Sequence, residues 1–365
     1  MFSQFFSRDK SISDDVQQLI KEALNSYRSE SFPNGILPLV SAFTVETNKQ
    51  GILVTVSLPF PCRGELAELA EQLSASLEQS VMINVDIDVK AVRSHSIANV
   101  KNIVAVASGK GGVGKSTTTV NLAAALVAEG ANVGILDADI YGPSIPLMIG
   151  AGDEKPGSTD GKTMLPIVAN DIAAMSIGFL VPDSDAAVWR GPMASTAFSQ
   201  LLNETAWPEL DYLLIDMPPG TGDIQLTLSQ KVPVAGAVIV TTPQDIALAD
   251  AQKGIAMFDK VKVPVIGVVE NMSYHLCENC GHHSHVFGQD GGKDIADMNS
   301  VALLGQLPLD VSIRTNADLG DFSYIRQANS DIGAQYRKIA RNLVSNVYHH
   351  LDARSPTNAN IVIEN

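Results

Sequence analysis

The residues best suited to chemistry begin with a glycine-rich segment, Gly-Lys-Gly-Gly-Val-Gly-Lys-Ser, at positions 109–116. The spacing Gly-x4-Gly-Lys-Ser lets successive backbone N–H groups curve around an anionic phosphate. In such a loop the Lys115 ammonium reaches the β and γ phosphates, and the Ser116 hydroxyl ligates Mg²⁺. The sequence therefore predicts a site for a nucleoside triphosphate with Mg²⁺. The loop residues predicted to contact it are Gly109, Lys110, Gly111, Gly112, Val113, Gly114, Lys115, Ser116 and Thr117.

Aspartates that follow two apolar runs are candidates to complete this site. Asp137 and Asp139 follow one run, and Asp216 follows another. Ligands of open α/β sheets bind beyond the carboxyl ends of the strands, so these carboxylates should lie beside the loop. We expect Asp216 to hold Mg²⁺ through its water shell. Asp137 and Asp139 are two residues apart and would point the same way on an extended chain, so we expect Asp139 to orient the attacking water and Asp137 to hold a metal-bound water. A helix N-cap is the alternative role for each of them.

Two of the three cysteines form a Cys-x2-Cys pair, Cys277 and Cys280, and histidines follow at 282, 283 and 285. Such a turn presents two thiolates to one soft metal and leaves the other ligand positions to be filled from elsewhere. A 4Fe–4S cluster takes four thiolates, and besides this pair the chain has only Cys62. Two chains would supply four thiolates from their two pairs, which favours a cluster that bridges two subunits. The alternatives are a zinc ion held within one chain, a redox disulfide, or an inert turn.

The elements that must position these residues alternate between strand and helix. An apolar run at 103–107 precedes the loop and a Leu/Ala-rich helical segment at 117–129 follows it, in the order that the motif requires. Short apolar runs predict further strands at 133–136, 212–215, 237–241, 265–269 and 302–304. This alternation predicts an α/β fold with a mostly parallel, doubly wound sheet covered by helices on both faces. Helical periodicity at 337–351 predicts a closing helix packed on this domain.

The residues before the linker predict a separate, small α+β unit. Helices at 13–27 and 65–77 and strands at 37–45, 52–58 and 81–89 give the order αββαβ. The linker is predicted at 93–101, which is polar and aperiodic. We therefore predict domains at 1–98 and 99–352, a loop at 153–161 and a disordered tail at 353–365.

Composition restricts the partners and the compartment. The 365-residue chain has a net charge of −15, which would repel a phosphate backbone, so nucleic acid is not an expected partner. A basic leader followed by an apolar stretch is absent, as is a run of about 18 apolar residues, so no membrane association is expected. Three cysteines are too few for a disulfide framework, and these features together predict a cytoplasmic protein.

The extra lysine of the loop, Lys110, exceeds what a phosphate-binding loop needs. With it, the loop resembles the deviant Walker form of the MinD, ParA, arsenite-pump and nitrogenase iron-protein superfamily of P-loop NTPases. In that superfamily the first lysine reaches across a dimer interface to the partner's nucleotide. The resemblance therefore implies an ATP-dependent homodimer in which Lys110 acts in catalysis together with Lys115 and Asp139. A solvated surface lysine is the alternative.

A narrower resemblance is carried by motifs spread over residues 100–350. Besides the loop and the cysteine pair, they are Asp-Ala-Asp-Ile-Tyr-Gly-Pro-Ser-Ile-Pro at 137–146, Trp-Arg-Gly-Pro-Met at 189–193, Asp-Met-Pro-Pro-Gly-Thr-Gly-Asp at 216–223, Thr-Pro-Gln-Asp at 242–245 and Glu-Asn-Met-Ser at 270–273. Together these motifs are similar to the Mrp/ApbC family of iron–sulfur cluster carrier ATPases. The resemblance implies a labile 4Fe–4S cluster held on the dimer, its transfer to apoproteins, and a slow ATPase on which transfer depends. It also implies that Asn271 reads the adenine and that the stretch around Pro308 flanks it; a plain turn residue is the alternative for Asn271.

The N-terminal unit resembles the small MIP18-like domain that is fused to many bacterial members of the family. In the free-standing domain a reactive cysteine follows the second strand, and Cys62 stands at a comparable place. Because the residues around it depart from that pattern, we expect a buried, inert Cys62. Arg190 is expected to touch the dimer partner or a recipient protein, or else to form a structural salt bridge.

Two other functions compete with a cluster carrier. A positioning ATPase like ParA or MinD, with a structural zinc site, would need a basic surface or an amphipathic membrane tail, and the acidic chain offers little support for either. A reductase like the nitrogenase iron protein would place its cluster cysteines in different loops, so the local Cys-x2-Cys spacing argues against it.

Overall fold

The computed structural model describes residues 14–181 and 191–352, and within them the strands form two sheets, one of three strands and one of nine. None of the helices in these two ranges combines the length and the hydropathy that a bilayer crossing needs. The predicted tail at 353–365 and Arg190 lie outside the described residues.

The three-stranded sheet contains β1 (Ala42–Asn48), β2 (Gly51–Leu58) and β3 (Val81–Ile87). β1 pairs with β2 antiparallel, and β2 pairs with β3 parallel. Two parallel neighbours need a crossover, which α2 (Arg63–Leu77) provides. With α1 (Asp14–Ser26) in front, the predicted order αββαβ is confirmed.

Two boundaries in this part of the chain differ from the prediction. The first half of the predicted strand at 37–45 is wrong, because Leu37–Leu39 form a 3-10 turn and β1 begins only at Ala42. Pro38 lies in the first turn of that 3-10 helix, and proline has no N–H to give to a sheet. The predicted linker at 93–101 also ends too late, since the next strand already begins at Val100. The domain boundary at 98/99 stays a prediction.

The nine-stranded sheet has the order β11-β10-β9-β4-β8-β5-β7-β6, and β12 also pairs with β10. Its strands are β4 (Val100–Ala107), β5 (Val133–Asp137), β6 (Ile167–Ala169), β7 (Ile172–Ser176), β8 (Leu210–Asp216), β9 (Gly236–Thr241), β10 (Val265–Leu276), β11 (His283–Ser284) and β12 (Ala302–Pro308). The pairs β6–β7 and β10–β11 are antiparallel and the other pairs are parallel. The carboxyl ends of the parallel strands therefore meet at one edge, where the site residues follow them.

Helices cover both faces of this sheet. They are α3 (Lys115–Ala128), α4 (Ile145–Met148), α5 (Gly191–Asn203), α6 (Asp223–Lys231), α7 (Asp245–Lys260), α8 (Gly291–Met298), α9 (Val311–Leu319), α10 (Ser323–Arg326) and α11 (Asp331–Asp352). Along β8, Leu213 and Ile215 belong to one buried apolar cluster, whereas Tyr212 and Leu214 belong to the other. Alternate residues of a strand thus face two separate cores, and the predicted doubly wound α/β fold is confirmed.

The closing helix predicted at 337–351 is confirmed as the longer α11, and it joins the N-terminal unit to the large sheet. The Phe60 ring lies 5.9 Å from the Tyr348 ring, and the Ser345 hydroxyl donates to the carbonyl of Ser31 at 2.7 Å. Buried residues of α11, among them Tyr336, belong to the same apolar cluster as Phe60. The small unit is therefore packed against the last helix of the described chain.

A buried ion network lies at this junction. The Arg341 Nη1 of α11 is 2.7 Å from Glu129 Oε1, and its Nε is 3.3 Å from Glu65 Oε2. The Arg341 side chain is 11% exposed and that of Glu129 is fully buried. The backbone N–H of Gly64 also donates to Glu129 at 2.8 Å. Cys62 lies next to this network and is fully buried, so the expected burial of this cysteine is confirmed. Its burial is the largest cause that raises the pKa of the Cys62 thiol, and the charge of Glu129 raises this pKa further.

Candidate functional site

The phosphate-binding loop runs from the end of β4 to the start of α3, as the motif requires. Gly109 allows close packing, because a Cβ there would lie 2.3 Å from the carbonyl oxygen of Asp250 in α7. Gly114 has φ +83°, a conformation that side chains disfavour. A Cβ on Gly111 or Gly112 would meet nothing within 4 Å. The loop is thus held from behind by α7 and leaves its front open to a ligand.

Asp216, at the end of β8, contacts several polar side chains behind the loop. Its Oδ2 lies 2.7 Å from Lys115 Nζ and accepts the Ser116 hydroxyl at 2.6 Å. Its Oδ1 accepts the Thr119 hydroxyl at 2.7 Å, one turn further along α3. The Asp216 side chain is fully buried and that of Lys115 is 6% exposed, so this is an ion pair in a low-dielectric setting. The sequence prediction missed Thr119, although its position one helical turn after the loop was available as a signal.

These groups fit Mg²⁺. Magnesium takes oxygen ligands, keeps several of its waters and is usually held through one or two protein groups together with substrate phosphates. The Ser116 hydroxyl and the Asp216 carboxylate are such oxygen donors and already lie within hydrogen-bond distance of each other. The donor set therefore suits a hydrated Mg²⁺ next to a triphosphate.

The two aspartates after β5 have different surroundings. β5 ends at Asp137, so Asp139 lies beyond the extended strand on which the expected shared direction of the two carboxylates depended. Asp137 is fully buried and accepts hydrogen bonds from the Asp139 N–H at 3.1 Å, the Ile145 N–H at 3.3 Å and the Ser176 hydroxyl at 3.0 Å. Burial, and then the charge of Asp216, raise the pKa of Asp137 to about 7, against the opposing effect of Lys115.

Asp139 lies closer to the open side. Burial raises its pKa, while Lys115 lowers it. Together with Lys110, Lys115 and Ser116 it lines a cavity of about 200 Å³ at the front of the loop. The lining also includes Ser144 and Met148 in the α4 region and Pro219 after β8, none of which was predicted as a site residue. Asp137 and Asp216 are not among the lining residues, so they lie behind the cavity wall.

Asn271 and Pro308 lie on β10 and β12. The Asn271 Nδ2 donates to the carbonyl of Val113 at 2.9 Å, and a Cβ on Gly114 would lie 2.3 Å from this nitrogen. Asn271 therefore lies directly against the loop. Pro308 is buried at the end of β12 opposite Tyr274 of β10. Neither residue lines the cavity in front of the loop.

The cysteine pair forms the tip of the hairpin between β10 and β11. The Cys277 N–H donates to the carbonyl of His282 at 3.0 Å, and the Gly281 N–H donates to the carbonyl of Cys277 at 2.8 Å. Cys277 is partly exposed and Cys280 is exposed. The backbone N–H groups of Asn279 and Cys280 lower the pKa of the Cys277 thiol, which favours the thiolate that metals bind.

The nearby histidines make other contacts. The His283 ring stacks on Tyr274 at a centroid distance of 4.8 Å, and His285 Nδ1 lies 3.1 Å from the carbonyl oxygen of Ser273. Within residues 14–181 and 191–352, no group of three or more His, Cys, Asp or Glu side chains is placed to hold a metal ion. The cysteine hairpin of this part of the chain thus offers an accessible pair of thiols without a third ligand beside it.

Comparison with known proteins agrees with this geometry. The family described as "ParA: NUBPL iron-transfer P-loop NTPase" matches residues 99–344. A Salmonella typhimurium protein named iron–sulfur cluster carrier protein is 48% identical over 344 residues, which cover 92% of this chain and 93% of that protein. A Mus musculus protein named iron–sulfur cluster transfer protein NUBPL is 50% identical over 250 residues, which cover 68% of this chain and 78% of that protein.

A solved structure shows the same fold. The nucleotide-binding protein from Archaeoglobus fulgidus, determined in complex with ADP, is 40% identical and superimposes with a TM-score of 0.55 over 61% of this chain and 88% of that chain. The family match covers well over half of the chain, and the Salmonella relative is aligned along nearly its whole length. The chain therefore belongs to the ParA-type family of NUBPL iron-transfer P-loop NTPases.

Proposed function

We propose that this protein is an ATP-hydrolysing carrier that binds a 4Fe–4S cluster between two subunits and transfers it to apoproteins. The observation that carries the proposal is the accessible pair Cys277 and Cys280. The pair begins six residues after Asn271, a residue that contacts the phosphate-binding loop. The names of the relatives, which describe iron–sulfur cluster carriage and transfer, support it. The cluster is cargo in this proposal, whereas ATP is the fuel.

The nucleotide half of the proposal assigns roles to the residues behind and in front of the loop. Bound Mg²⁺ would supply charge neutralisation for the β and γ phosphates, with Ser116 and Asp216 holding it. Lys115, now paired with Asp216, has the phosphates as its second anionic partner. Asp139, in the cavity wall, orients the attacking water, and its raised pKa suits a group that accepts a proton. Lys110 acts on the nucleotide of the partner subunit.

The cluster half of the proposal follows from the count of thiols. A 4Fe–4S cluster takes four thiolates, so one hairpin supplies half of the ligand set and the same hairpin of a second subunit supplies the rest. The lowered pKa of Cys277 favours ligation, and the exposure of Cys280 lets a recipient protein reach the cluster. Exposed cluster ligands suit exchange with apo iron–sulfur proteins. The three free cysteines suit a reducing compartment, so we place the protein in the cytoplasm.

Anaerobic reconstitution with iron and sulfide tests the cluster. The wild-type protein should bind about four irons and four sulfides per dimer, and Cys277→Ala and Cys280→Ala should each abolish this binding while nucleotide binding is unchanged. Cys62→Ala is the matched control, since this thiol is buried in the N-terminal unit, and it should retain the cluster. A Cys277→Ala protein that keeps its brown 4Fe chromophore would refute the proposal. So would a wild-type protein that carries one zinc ion per chain and takes up no iron.

Kinetics on two lysine variants test the nucleotide site. Lys115→Ala should lose ATP binding, since it removes the ammonium from the phosphate site. Lys110→Ala should lower kcat much more than ATP affinity, because Lys110 is proposed to act across the dimer. Equal losses of affinity in the two variants would contradict a role for Lys110 in the partner's site.

A further inference from the structure

The strand β10 connects the nucleotide site to the cysteines without leaving the sheet. Asn271 contacts the loop, and Cys277 follows immediately after the end of the strand. At about 3.3 Å per residue, the six steps from Asn271 to Cys277 span at most roughly 20 Å. A single strand therefore links the two sites of the proposed function.

This strand is irregular at one place between the two sites. Opposite β12, Glu270 pairs with Gln306 and Tyr274 pairs with Pro308, so four steps along β10 correspond to two steps along β12. Residues 271–273 thus form a bulge with two extra residues. Bulges redirect a strand and re-aim the side chains that follow it. We refer to residues 271–273 as the β10 bulge.

The upstream end of the β10 bulge is firmly held. The fully buried Glu270 carboxylate accepts hydrogen bonds from Gln306 Nε2 at 2.9 Å and from the Gly292 N–H. Asn271 is 7% exposed and touches the loop so closely that Gly114 has no room for a Cβ. Any displacement of the loop at Val113 or Gly114 would therefore act directly on the Asn271 side chain.

Met272, in the middle of the β10 bulge, has an unusual backbone conformation. Its φ is +55°, in the left-handed region, which residues other than glycine and asparagine rarely enter. Such a conformation persists only where the surrounding structure over-determines it. The two neighbours of Met272 are buried, and Met272 itself is partly buried. The bulge is therefore a stiff connection with little backbone freedom.

The downstream end of the bulge is tied to the cysteine hairpin. Tyr274 stacks on His283 of β11, and its hydroxyl accepts a hydrogen bond from Gln335 Nε2 of α11 at 2.8 Å. The β11 strand pairs with His275 and Leu276, the two residues before Cys277. Tyr274 is therefore in direct contact with the hairpin, and the β10 bulge lies between this contact and Asn271.

We infer that Met272 is a positioning residue that fixes the orientation of the cysteine hairpin relative to the phosphate-binding loop, so that nucleotide bound at the loop changes the accessibility of Cys277 and Cys280. This inference rests on the proposed function, because it takes the loop as the ATP site and the pair as the cluster ligands. In this inference, the effect of ATP on the cluster ligands depends on the backbone conformation of Met272 in the β10 bulge.

The test measures the alkylation rate of Cys277 and Cys280 by iodoacetamide in the metal-free, full-length protein, followed by peptide mass spectrometry. The rate is measured at one pH with and without saturating Mg²⁺ and a non-hydrolysable ATP analogue. The quantity compared is the ratio of the alkylation rate with nucleotide to the rate without it. A typical coupling free energy predicts that nucleotide changes the rate about fivefold in the wild-type protein. Met272→Gly should reduce this ratio to about one, because glycine lets the chain absorb the displacement at the bulge.

Three further variants separate positioning from simple damage. Ser300→Gly is the matched control, since Ser300 has φ +53° in the turn before β12, and it should keep the wild-type ratio. Met272→Asn should also keep the ratio, because asparagine enters the left-handed region without the freedom of glycine. Met272→Val should lose the wild-type ratio, because a β-branched residue disfavours the left-handed conformation and cannot hold the bulge in its present form. Met272→Gly itself should fold, since glycine adopts φ +55° without strain.

The inference is overturned if Met272→Gly keeps the ratio at saturating nucleotide, if Ser300→Gly loses it, or if nucleotide leaves the wild-type rate unchanged. A modest loss of stability alone should change neither rate, because Cys277 and Cys280 are already accessible in the folded protein. Reconstitution of the wild-type protein is measured separately. If the wild-type protein assembles the bridging cluster but nucleotide does not change the alkylation rate of its thiols, this inference is contradicted and the proposed function still stands.

Discussion

Removal of Arg341 should loosen the junction between the N-terminal unit and the large sheet. Arg341→Leu keeps much of the side-chain volume but removes the cation that lies 2.7 Å from Glu129 and 3.3 Å from Glu65. Their side chains are 0% and 5% exposed, so two carboxylates would stay buried without a cation. Breaking a buried pair in this way costs about 3–5 kcal/mol. The Gly64 N–H and the Tyr27 hydroxyl still donate to these carboxylates, so we expect about 3 kcal/mol.

Urea denaturation followed by circular dichroism near neutral pH measures this loss. Arg314→Leu is the matched control, because its pair with Asp318 has a similar distance of 2.9 Å but 70% and 61% exposed side chains. An exposed pair of this kind contributes about 0.3–0.5 kcal/mol. The two variants lose the same charge, so the difference between them reports the burial of the pair.

The pH dependence provides a second readout. Burial already raises the pKa of Glu129, and Arg341 is the largest opposing influence, so its removal raises that pKa further. A carboxyl whose folded-state pKa exceeds its unfolded value binds more protons when folded, so stability rises as pH falls between the two values. The deficit of Arg341→Leu should therefore shrink as pH is lowered from 7 to about 5. A deficit no larger than that of Arg314→Leu, or one that does not shrink on acidification, would refute the reasoning.

Three further predictions concern the nucleotide site. Asp137→Asn should flatten the pH dependence of the free energy of unfolding. In the wild-type protein the folded-state pKa of Asp137 is raised to about 7, so stability falls as pH rises from the unfolded-state pKa of this carboxyl to about 7. Urea denaturation of both proteins across this pH range checks the prediction. Gly114→Ala should cost about 2 kcal/mol, since φ is +83° and the new Cβ would lie 2.3 Å from a neighbouring amide nitrogen. Gly111→Ala is its control, which should change stability by less than about 0.5 kcal/mol but weaken nucleotide binding, as measured by calorimetry. Thr119→Val removes a hydrogen bond to the buried Asp216 carboxylate and should lower stability by about 1.5–3 kcal/mol; an unchanged denaturation midpoint would contradict this.

Several elements were predictable because their signals are local. The strands at 103–107 and 212–215 and the helix after the loop are strongly apolar and long enough to bury, and the structure differs from them only at the ends. The missed strand Ile172–Ser176 contains two alanines and a serine, which carry a weak strand signal, and it is stabilised by pairing with β5. Its place in the sheet is a tertiary effect that local propensity does not report.

The site shows the same division. The sequence predicted that Asp216 lies beside the loop, because the carboxyl ends of parallel strands meet at one edge of the sheet, whereas the direct contact between Asp216 and Ser116 is seen only in the structure. It did not predict the different surroundings of Asp137 and Asp139, which depend on where β5 ends. The β10 bulge was also not predictable, since it arises from the register between β10 and β12, which are distant in sequence.

The packing of the N-terminal unit on α11 has a consequence for synthesis. Phe60 lies near the start of the chain, and its partner helix begins at residue 331, about 270 residues later. At elongation rates of about 5–20 residues per second, roughly 15–50 s pass before that helix has been made. During this interval the apolar surface around Phe60 that α11 covers in the folded protein is exposed to solvent. The nascent small unit therefore exposes apolar surface for tens of seconds, until α11 has been made.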